Sequence, residues 1–167
     1  IALRERGLTF DADLVADGET VAVGDASLEA VHVPGHTSEM TAFRLATDER
    51  DLLFAGDLAF QNGLARPDLE AGDEGARDLA RDLHGSLTGT LFALDDETLV
   101  LPAHRGPAST PDEEGSEGGV FGATVGTLRE RLPVEDDPEA FADRVATDLP
   151  PRPANYEAIV ATNLGQE

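Results

Sequence analysis

The sequence predicts an α/β (α+β) fold in which a mixed β-sheet is covered by helices. Short apolar runs bounded by Gly, Pro and Asp fill the first part of the chain, as in consecutive β-strands. Longer segments with apolar residues three and four positions apart come later, as in amphipathic helices. Apolar residues make up 40% of the 167-residue chain. We therefore expect one globular domain over residues 1–167.

Six apolar runs predict the strands. The first three form a meander, because turn signals at Gly18-Glu19 and Gly24-Asp25 separate them. Pro34-Gly35 ends the third run, Gly56-Asp57 ends the fifth, and Pro102 ends the last. The predicted strands cover residues 13–16, 20–23, 28–33, 40–46, 51–55 and 98–101.

Helices and loops fill the rest of the predicted chain. Residues 62–72 and 106–119 are rich in Gly, Pro and acidic residues and predict two loops. A helix capped by Asp73 follows the first loop, and its apolar stripe extends to Leu91. The other predicted helices cover 121–132, 138–149 with Asp137 as cap and Pro138 at the first position, and 154–164, which Gly165 ends.

The charge balance is strongly acidic, with 34 acidic against 12 basic residues and a net charge of −22. The acidic residues are spread between apolar positions, and every basic residue is Arg. This pattern indicates adaptation to molar salt, which screens repulsion between carboxylates. It argues against nucleic acid as a partner, because a phosphate backbone requires a basic patch. The sequence has no run of apolar residues long enough for a membrane span, and we expect a cytoplasmic protein.

Three polar side chains follow predicted strands, each in a Gly or Pro context. They are His36 after residues 28–33, Asp57 after residues 51–55, and His104 after residues 98–101. Strand ends commonly deliver polar groups to one edge of a sheet. Because the chain has no Cys, a metal would be bound by His and carboxylate, which suit zinc or non-haem iron.

These residues lie in segments that resemble a known family. Pro34-Gly35-His36-Thr37, Phe54-Ala55-Gly56-Asp57 and Leu101-Pro102-Ala103-His104 resemble, in order and spacing, the three later metal motifs of the metallo-β-lactamase superfamily. The resemblance implies the αββα sandwich of that family, here largely its C-terminal half. It also implies that His36 binds one metal, that Asp57 binds or bridges metals, and that His104 binds a second metal in dinuclear members.

Two further segments resemble persulfide dioxygenases and their rhodanese-associated, glyoxalase-II-like relatives. One is Gly63-Leu64-Ala65-Arg66-Pro67-Asp68-Leu69, and the other is Leu149-Pro150-Pro151-Arg152-Pro153-Ala154-Asn155-Tyr156 with Asn163-Leu164-Gly165 after it. The resemblance implies oxidation of the persulfide of a low-molecular-weight thiol to sulfite at one Fe(II). His36 and Asp57 would be two of its three ligands, His104 would stand nearby, and Arg66 and Asp68 would line the substrate site.

Other roles for these residues are also compatible with the sequence. A glyoxalase-II-type thioester hydrolase would use one or two zinc ions, with His104 on the second. Arg66 could simply pair with Asp68. His32 is interpreted as a packed strand residue and His84 as structural or exposed.

The superfamily's first motif, H-x-H-x-D-H, has no counterpart in this sequence. We therefore expect that the N-terminal βαβ half is missing here, or that the chain is a catalytically incomplete fragment or an interaction module. A sheet with helices on one face would leave an apolar face uncovered, so we expect a homo-oligomer or cover by the missing half.

The charge pattern predicts that stability depends on salt. Unfolding followed by circular dichroism should show a free energy of unfolding that falls steeply between molar and millimolar KCl, because repulsion between carboxylates is no longer screened. Equal stability at both salt concentrations would contradict the salt-adaptation hypothesis.

Overall fold

A computed structural model describes residues 6–105, 120–147 and 149–166 of the chain. The described part contains a six-stranded sheet with the order β1-β2-β3-β4-β7-β8 and a two-stranded ribbon of β5 and β6. In chain order the strands are β1 (Thr20–Val23), β2 (Ala26–His32), β3 (Thr41–Leu45), β4 (Leu52–Gly56), β5 (Ala59–Phe60), β6 (Gly63–Leu64), β7 (Leu99–Pro102) and β8 (Ala123–Thr124).

Four α-helices accompany the sheet in the described ranges. The first continues into a π-helical turn over Ser86–Thr90 and a 3-10 turn over Leu91–Ala93. Within residues 6–105, 120–147 and 149–166, none of the helices is long and apolar enough to cross a membrane. The helices are α1 (Gly72–Gly85), α2 (Val125–Arg131), α3 (Pro138–Val145) and α4 (Tyr156–Asn163).

One strand pair in the large sheet is parallel. Strands β1 to β4 pair antiparallel in chain order, and β7 pairs antiparallel with β8. By contrast, β4 pairs parallel with β7, with Leu53 opposite Val100. Parallel neighbours require a crossover connection, and here the connection contains the β5–β6 ribbon, α1 and the two turns after it. The expected mixed sheet with helices is confirmed.

The core lies on one face of the sheet. Leu53 and Val100 point to this face and are 1% exposed. They join a buried cluster with Leu83 of α1, Leu128 of α2 and Phe141 of α3. Complete burial of a Leu, Val or Phe side chain contributes about 1.5–3 kcal/mol each. The apolar sides of three helices therefore pack on this face of the sheet and stabilise it.

The opposite face of the sheet is apolar and partly open to solvent. Register places Phe43, Phe54 and Leu101 side by side on it, and Phe54 is 40% exposed. At the far edge of the same face Val23 is 56% exposed. The expected uncovered face is thus present, whereas the oligomer or additional segment that would cover it remains a prediction.

Most of the predicted elements are confirmed, and the exceptions have local causes. Residues 13–16 do not form a strand; instead the Asp17 carboxylate accepts a hydrogen bond of 2.8 Å from the His32 backbone N–H. The predicted loop 62–72 begins with strand β6, because it folds back on β5 in a tight hairpin. The predicted loop 106–119 lies outside the described residues.

The helical predictions were correct in place and wrong in detail. Asp73 does not cap α1, since its carboxylate pairs with Arg152. The α-helical part of this segment ends at Gly85, well before Leu91. Strand β8 occupies the start of the predicted 121–132 helix. Helix α3 ends at Val145 rather than 149, although the predicted Asp137 cap and the Gly165 stop (φ 70°) are confirmed.

Gly35 permits a close contact between the chain and helix α1. Its φ is 142°, and a Cβ built on it would lie 2.5 Å from the Cβ of Leu83. Contacts this short force one element to move. The absence of a side chain at position 35 therefore lets the segment that carries His36 lie directly on the helix.

Replacing Gly35 with Ala should lower the free energy of unfolding by about 2–3 kcal/mol through overpacking against Leu83. Gly85→Ala is the matched control, because Gly85 is helical (φ −60°) and nothing lies within 4 Å of its added Cβ. The control should be neutral or more stable by about 0.5–1 kcal/mol. Denaturant unfolding measures both, and equal effects of the two substitutions would contradict the packing argument.

Candidate metal centre

His36, Asp57 and His104 meet at one edge of the large sheet. Asp57 follows β4 and His104 follows β7, so the parallel pairing of these strands brings their ends together. The backbone N–H of Ala103 also donates to the carbonyl of Gly56 at 2.8 Å. His36 arrives from the segment after β2, next to Gly35. The three predicted residues therefore do share one location.

The Asp57 carboxylate lies between the two imidazoles. Its Oδ1 is 2.5 Å from Nδ1 of His104, a hydrogen-bond distance. Its Oδ2 is 3.5 Å from Nε2 of His36, too far for a good hydrogen bond. The side chains of His36 and Asp57 are 18% and 20% exposed, whereas that of His104 is 74% exposed. His36 and Asp57 thus form a half-buried pair, and His104 contacts this pair from the solvent side.

The tautomer of His36 is fixed by a backbone carbonyl. Nδ1 of His36 lies 2.9 Å from the carbonyl oxygen of Arg66. A carbonyl only accepts hydrogen bonds, so in the neutral ring Nδ1 carries the proton and Nε2 carries the lone pair. Nε2 is the atom that faces Asp57. Metal-ligating histidines usually have this arrangement, with the second ring nitrogen donating to a carbonyl or carboxylate.

The donor pair fits a metal ion in type and spacing. Imidazole nitrogen and carboxylate oxygen are ligands for zinc and Fe(II). Two such atoms, each about 2.0–2.1 Å from a tetrahedral ion, lie about 3.4 Å apart, close to the 3.5 Å between Nε2 of His36 and Oδ2 of Asp57. Across the described ranges no group of three or more His, Asp or Glu side chains is arranged to hold an ion. His36 and Asp57 therefore provide two donor atoms at this spacing, and His104 as a ligand stays a prediction.

A second layer of contacts holds the segment after His36. Ser38 donates from its backbone N–H and its hydroxyl to the carboxylate of Glu70, at 2.6 and 2.8 Å. Nε2 of His32 lies 2.8 Å from the Ser38 carbonyl. His32 is exposed rather than packed, so its interpretation as a packed strand residue was wrong. No sequence motif around Glu70 predicts this contact.

His84 is structural, as expected. It is half-buried on α1, and its Nε2 lies 2.8 Å from the carbonyl of Glu135. Its ring packs edge-on against Phe141 with centroids 5.2 Å apart. These contacts join α1 to α3 and to the segment before it.

Arg66 and Asp68 pair with each other. Nε and Nη2 of Arg66 donate to the two carboxylate oxygens of Asp68 at 2.7 and 2.9 Å. Arg66 also donates to the carbonyls of Pro150 and Pro151. These contacts use four of the five guanidinium N–H groups. The pairing alternative is present in the structure, while the role of these two residues in binding substrate stays a prediction.

Asp68 is a buried carboxylate held by two arginines. It is 2% exposed, and Arg152 adds a hydrogen bond of 2.8 Å from its Nε to Oδ2. The hydrogen bonds from Arg66 lower the pKa of Asp68 below its ordinary value, Arg152 lowers it further, and burial opposes them. The charged form is thus favoured by direct contacts with cations rather than by solvent.

Comparison with known proteins identifies the family. The metallo-beta-lactamase superfamily matches residues 7–104, more than half of the chain. The chain therefore belongs to the metallo-β-lactamase superfamily.

Curated relatives match about half of the chain. An uncharacterized protein of Mycobacterium tuberculosis is 36% identical over 95 residues, which are 55% of this chain and 40% of that protein. The hydroxyacylglutathione hydrolase GloC of Haemophilus influenzae is 30% identical over 88 residues, which are 53% of this chain and 38% of that protein. The matched region thus spans about two fifths of the length of these relatives.

Solved structures extend the likeness beyond the family match. A metallo-beta-lactamase from Staphylococcus aureus has a TM-score of 0.75 and 26% identity, covering 91% of this chain and 44% of that one. ETHE1 from Myxococcus xanthus has a TM-score of 0.71 and 28% identity, covering 91% of this chain and 59% of that one. Because 91% of the chain is far more than residues 7–104, the likeness includes part of the C-terminal region.

The Asp68 contacts predict a defined pH dependence. Because its folded pKa lies below the unfolded value of about 3.9, Asp68 adds stability above that value. This contribution is lost as the pH falls through the folded pKa. Asp68→Asn should cost about 1.5–3 kcal/mol at neutral pH, since the partly buried guanidinium groups of Arg66 and Arg152 lose the charged acceptor between them, and should flatten the acid limb of the stability curve.

Asp96→Asn is the control for this measurement, because Asp96 also pairs with an arginine but is 61% exposed. Exposed pairs contribute about 0–1 kcal/mol, so this variant should unfold nearly as the parent does. An Asp68→Asn variant whose stability and acid limb match the parent would refute the assignment.

Proposed function

We propose that this protein is a metal-dependent enzyme of the persulfide dioxygenase type. It would oxidise the persulfide of a low-molecular-weight thiol to sulfite and the free thiol at an Fe(II) centre. The observation that carries the proposal is the His36–Asp57 pair, in which Nε2 of His36, the lone-pair nitrogen of the neutral ring, faces the carboxylate, as two ligands of one ion would. The membership of the chain in the metallo-β-lactamase superfamily supports a metal ion as the cofactor.

We propose a single metal ion, with His104 beside it rather than on a second ion. Nδ1 of His104 contacts Oδ1 of Asp57 at 2.5 Å, so this oxygen is hydrogen-bonded to a ring nitrogen. Two His and one carboxylate around a single ion with open positions are suited to Fe(II) and O2 chemistry. We propose that His36 and Asp57 are two of those three ligands, and that the third lies outside this arrangement.

Two sequence segments support the choice of subgroup. The segment from Gly63 to Leu69 resembles persulfide dioxygenases, and in the structure it supplies the Arg66 carbonyl that orients His36. The segment from Leu149 to Tyr156 resembles the same subgroup, and its Pro150 carbonyl accepts a hydrogen bond from Arg66. The two family-like segments therefore contact each other beside the His36–Asp57 pair.

The reaction consumes one O2 and one water per persulfide. The sulfur–sulfur bond breaks, the outer sulfur gains three oxygens and leaves as sulfite, and the inner sulfur leaves as the thiol with a proton. Two further protons are released. When bound, Fe(II) supplies the redox chemistry that activates O2.

The chain's own groups have separate tasks in this scheme. In the neutral imidazole, the Arg66 carbonyl favours the tautomer of His36 whose Nε2 lone pair faces Asp57. The hydrogen bond from His104 fixes the orientation of the Asp57 carboxylate. The His104 side chain is 74% exposed and contacts the carboxylate from the solvent side.

A thioester hydrolase is the second candidate. The named relatives from Haemophilus influenzae and Schizosaccharomyces pombe are hydroxyacylglutathione hydrolases, actual or probable, at 30% identity. Zinc would then replace Fe(II) and activate water. His104 separates the candidates, because a second metal on His104 would favour hydrolysis.

Activity of the metal-loaded protein in molar KCl tests the proposal. The Fe(II) form should consume O2 with glutathione persulfide and release sulfite, and His36→Ala should lower this rate by at least about 100-fold, because a ligand of the ion is lost. His84→Gln is the control, since Gln can still donate to the Glu135 carbonyl that His84 contacts, and it should retain the parent rate.

The outcomes divide the candidates. Hydrolysis of S-lactoylglutathione by the zinc form, without O2 uptake by the Fe(II) form, would replace the dioxygenase proposal with the hydrolase. Loss of neither activity in His36→Ala would overturn both. No activity with either metal would favour an incomplete fragment or interaction module.

A further inference from the structure

A compact ionic cluster beside the His36–Asp57 pair consists of Arg66, Asp68 and Arg152. We call this cluster the arginine clasp. Asp68 is at its centre and receives hydrogen bonds from both guanidinium groups, at 2.7–2.9 Å. Arg152 also pairs with Asp73 at the start of α1. The clasp therefore ties the C-terminal segment to the loop between β6 and α1.

Arg66 links the clasp to the His36–Asp57 pair. The side chain of Arg66 lies in the clasp, while its backbone carbonyl accepts the Nδ1 hydrogen bond of His36 at 2.9 Å. Rotation of the Arg66 peptide would remove that acceptor. The orientation of one peptide group therefore decides which ring nitrogen of His36 carries the proton.

The neighbours of Arg66 leave its peptide little freedom. Ala65 is 2% exposed, and its N–H donates to the Leu58 carbonyl at 3.3 Å. Pro67 is completely buried, and a proline restricts the preceding residue to extended conformations. The buried Pro67 restricts one end of the Arg66–Pro67 peptide, and the clasp holds the Arg66 side chain, which is attached at the other end.

Arg152 is the outer member of the clasp. Its side chain is 25% exposed, against 3% for Asp68. Without Arg152, Asp68 keeps the bidentate pair with Arg66 but loses the partner on its Oδ2 side and its link to Asp73. The Leu149–Asn155 region would then be held to the loop by the Arg66 contacts to Pro150 and Pro151.

We propose that Arg152 is a positioning residue for His36. It acts through Asp68 and Arg66, and it keeps the Arg66 carbonyl aimed at Nδ1 so that Nε2 stays free for a metal ion. The proposal rests on the proposed function in one respect, namely that His36 is a metal ligand. Its effect on the imidazole itself is a property of the metal-free protein.

A purely structural clasp would behave differently. It would hold the C-terminal segment in place, so its loss would lower stability while His36 kept its tautomer. A positioning clasp must also change the ring nitrogens of His36 in folded protein. The ¹⁵N NMR signals of the imidazole distinguish these cases, because a protonated and an unprotonated ring nitrogen resonate far apart.

Three variants form the test. Arg152→Ala removes the clasp member. Arg152→Lys keeps the charge but lacks the planar fork that reaches two carboxylates. Arg129→Ala is the matched control, because Arg129 also bonds a carboxylate and a backbone carbonyl, those of Asp96 and Phe92, but belongs to a different cluster.

The imidazole signals are recorded on metal-free full chain in molar KCl at about pH 8.5, above the ordinary His pKa of ~6.5. The parent and Arg129→Ala should show a single Nδ1–H form of His36. Arg152→Ala should show a mixture of both tautomers, and Arg152→Lys should lie between them. The zinc dissociation constant, measured by chelator competition, should rise by about tenfold in Arg152→Ala, the effect usual for residues that orient a metal ligand.

Each outcome either supports or contradicts the positioning role of Arg152. A parent-like His36 signal in folded Arg152→Ala would overturn the positioning role, whatever the zinc affinity. If Arg152→Ala does not fold, the decision falls to Arg152→Lys, whose signal must depart from that of the parent. A changed tautomer in a protein that binds no zinc would uphold the clasp and contradict the proposed function instead.

Discussion

The parallel pairing of β4 with β7 is the constraint on which the site depends. Asp57 and His104 are 47 positions apart, and they meet because their strands run side by side and end at one edge. Parallel strands cannot be joined by a tight turn, so the intervening chain must cross the sheet. That crossing carries α1 and the π-helical turn after it, which bury Leu83 and Leu87 in the core. The pairing therefore determines both where the core forms and where the polar edge lies.

Helix α1 in turn supports the third site residue. The backbone at Gly35 rests on Leu83, and the hydroxyl of Ser86 donates to the Pro34 carbonyl at 2.7 Å. These contacts hold the segment that presents His36. The π-helical turn at Ser86–Thr90 follows directly, and such irregular turns often occur where a helix adapts to a functional neighbour. Core packing and metal-site geometry thus share the same residues.

Acidic charge is tolerated near the site because arginines neutralise it locally. Asp68 is the buried case, with Arg66 and Arg152 on its two oxygens. On the surface, Arg81 donates to Glu139 of α3 and holds the pKa of that carboxyl at about 2. In a chain with a net charge of −22, the few arginines lie where two elements must be held together.

The sequence predicted the elements that carry regular patterns. Strand ends followed by His36, Asp57 and His104 predicted a shared edge, because polar residues after apolar runs mark it clearly. Tertiary contacts could not be predicted from local sequence patterns. Nothing near Asp73 indicates that it pairs with Arg152 instead of capping α1, and nothing near Glu70 indicates that it binds Ser38. The exposure of His32 was missed for the same reason, since strand alternation alone does not say which face is covered.

Anomalous X-ray scattering from crystals of this chain soaked in zinc tests the central claim most directly. We expect one strong zinc peak about 2.0–2.2 Å from Nε2 of His36 and from a carboxylate oxygen of Asp57, with the Arg66 carbonyl still bonded to Nδ1. A peak bound through other side chains, with Nε2 of His36 free, would contradict the assignment of His36 and Asp57 as metal ligands.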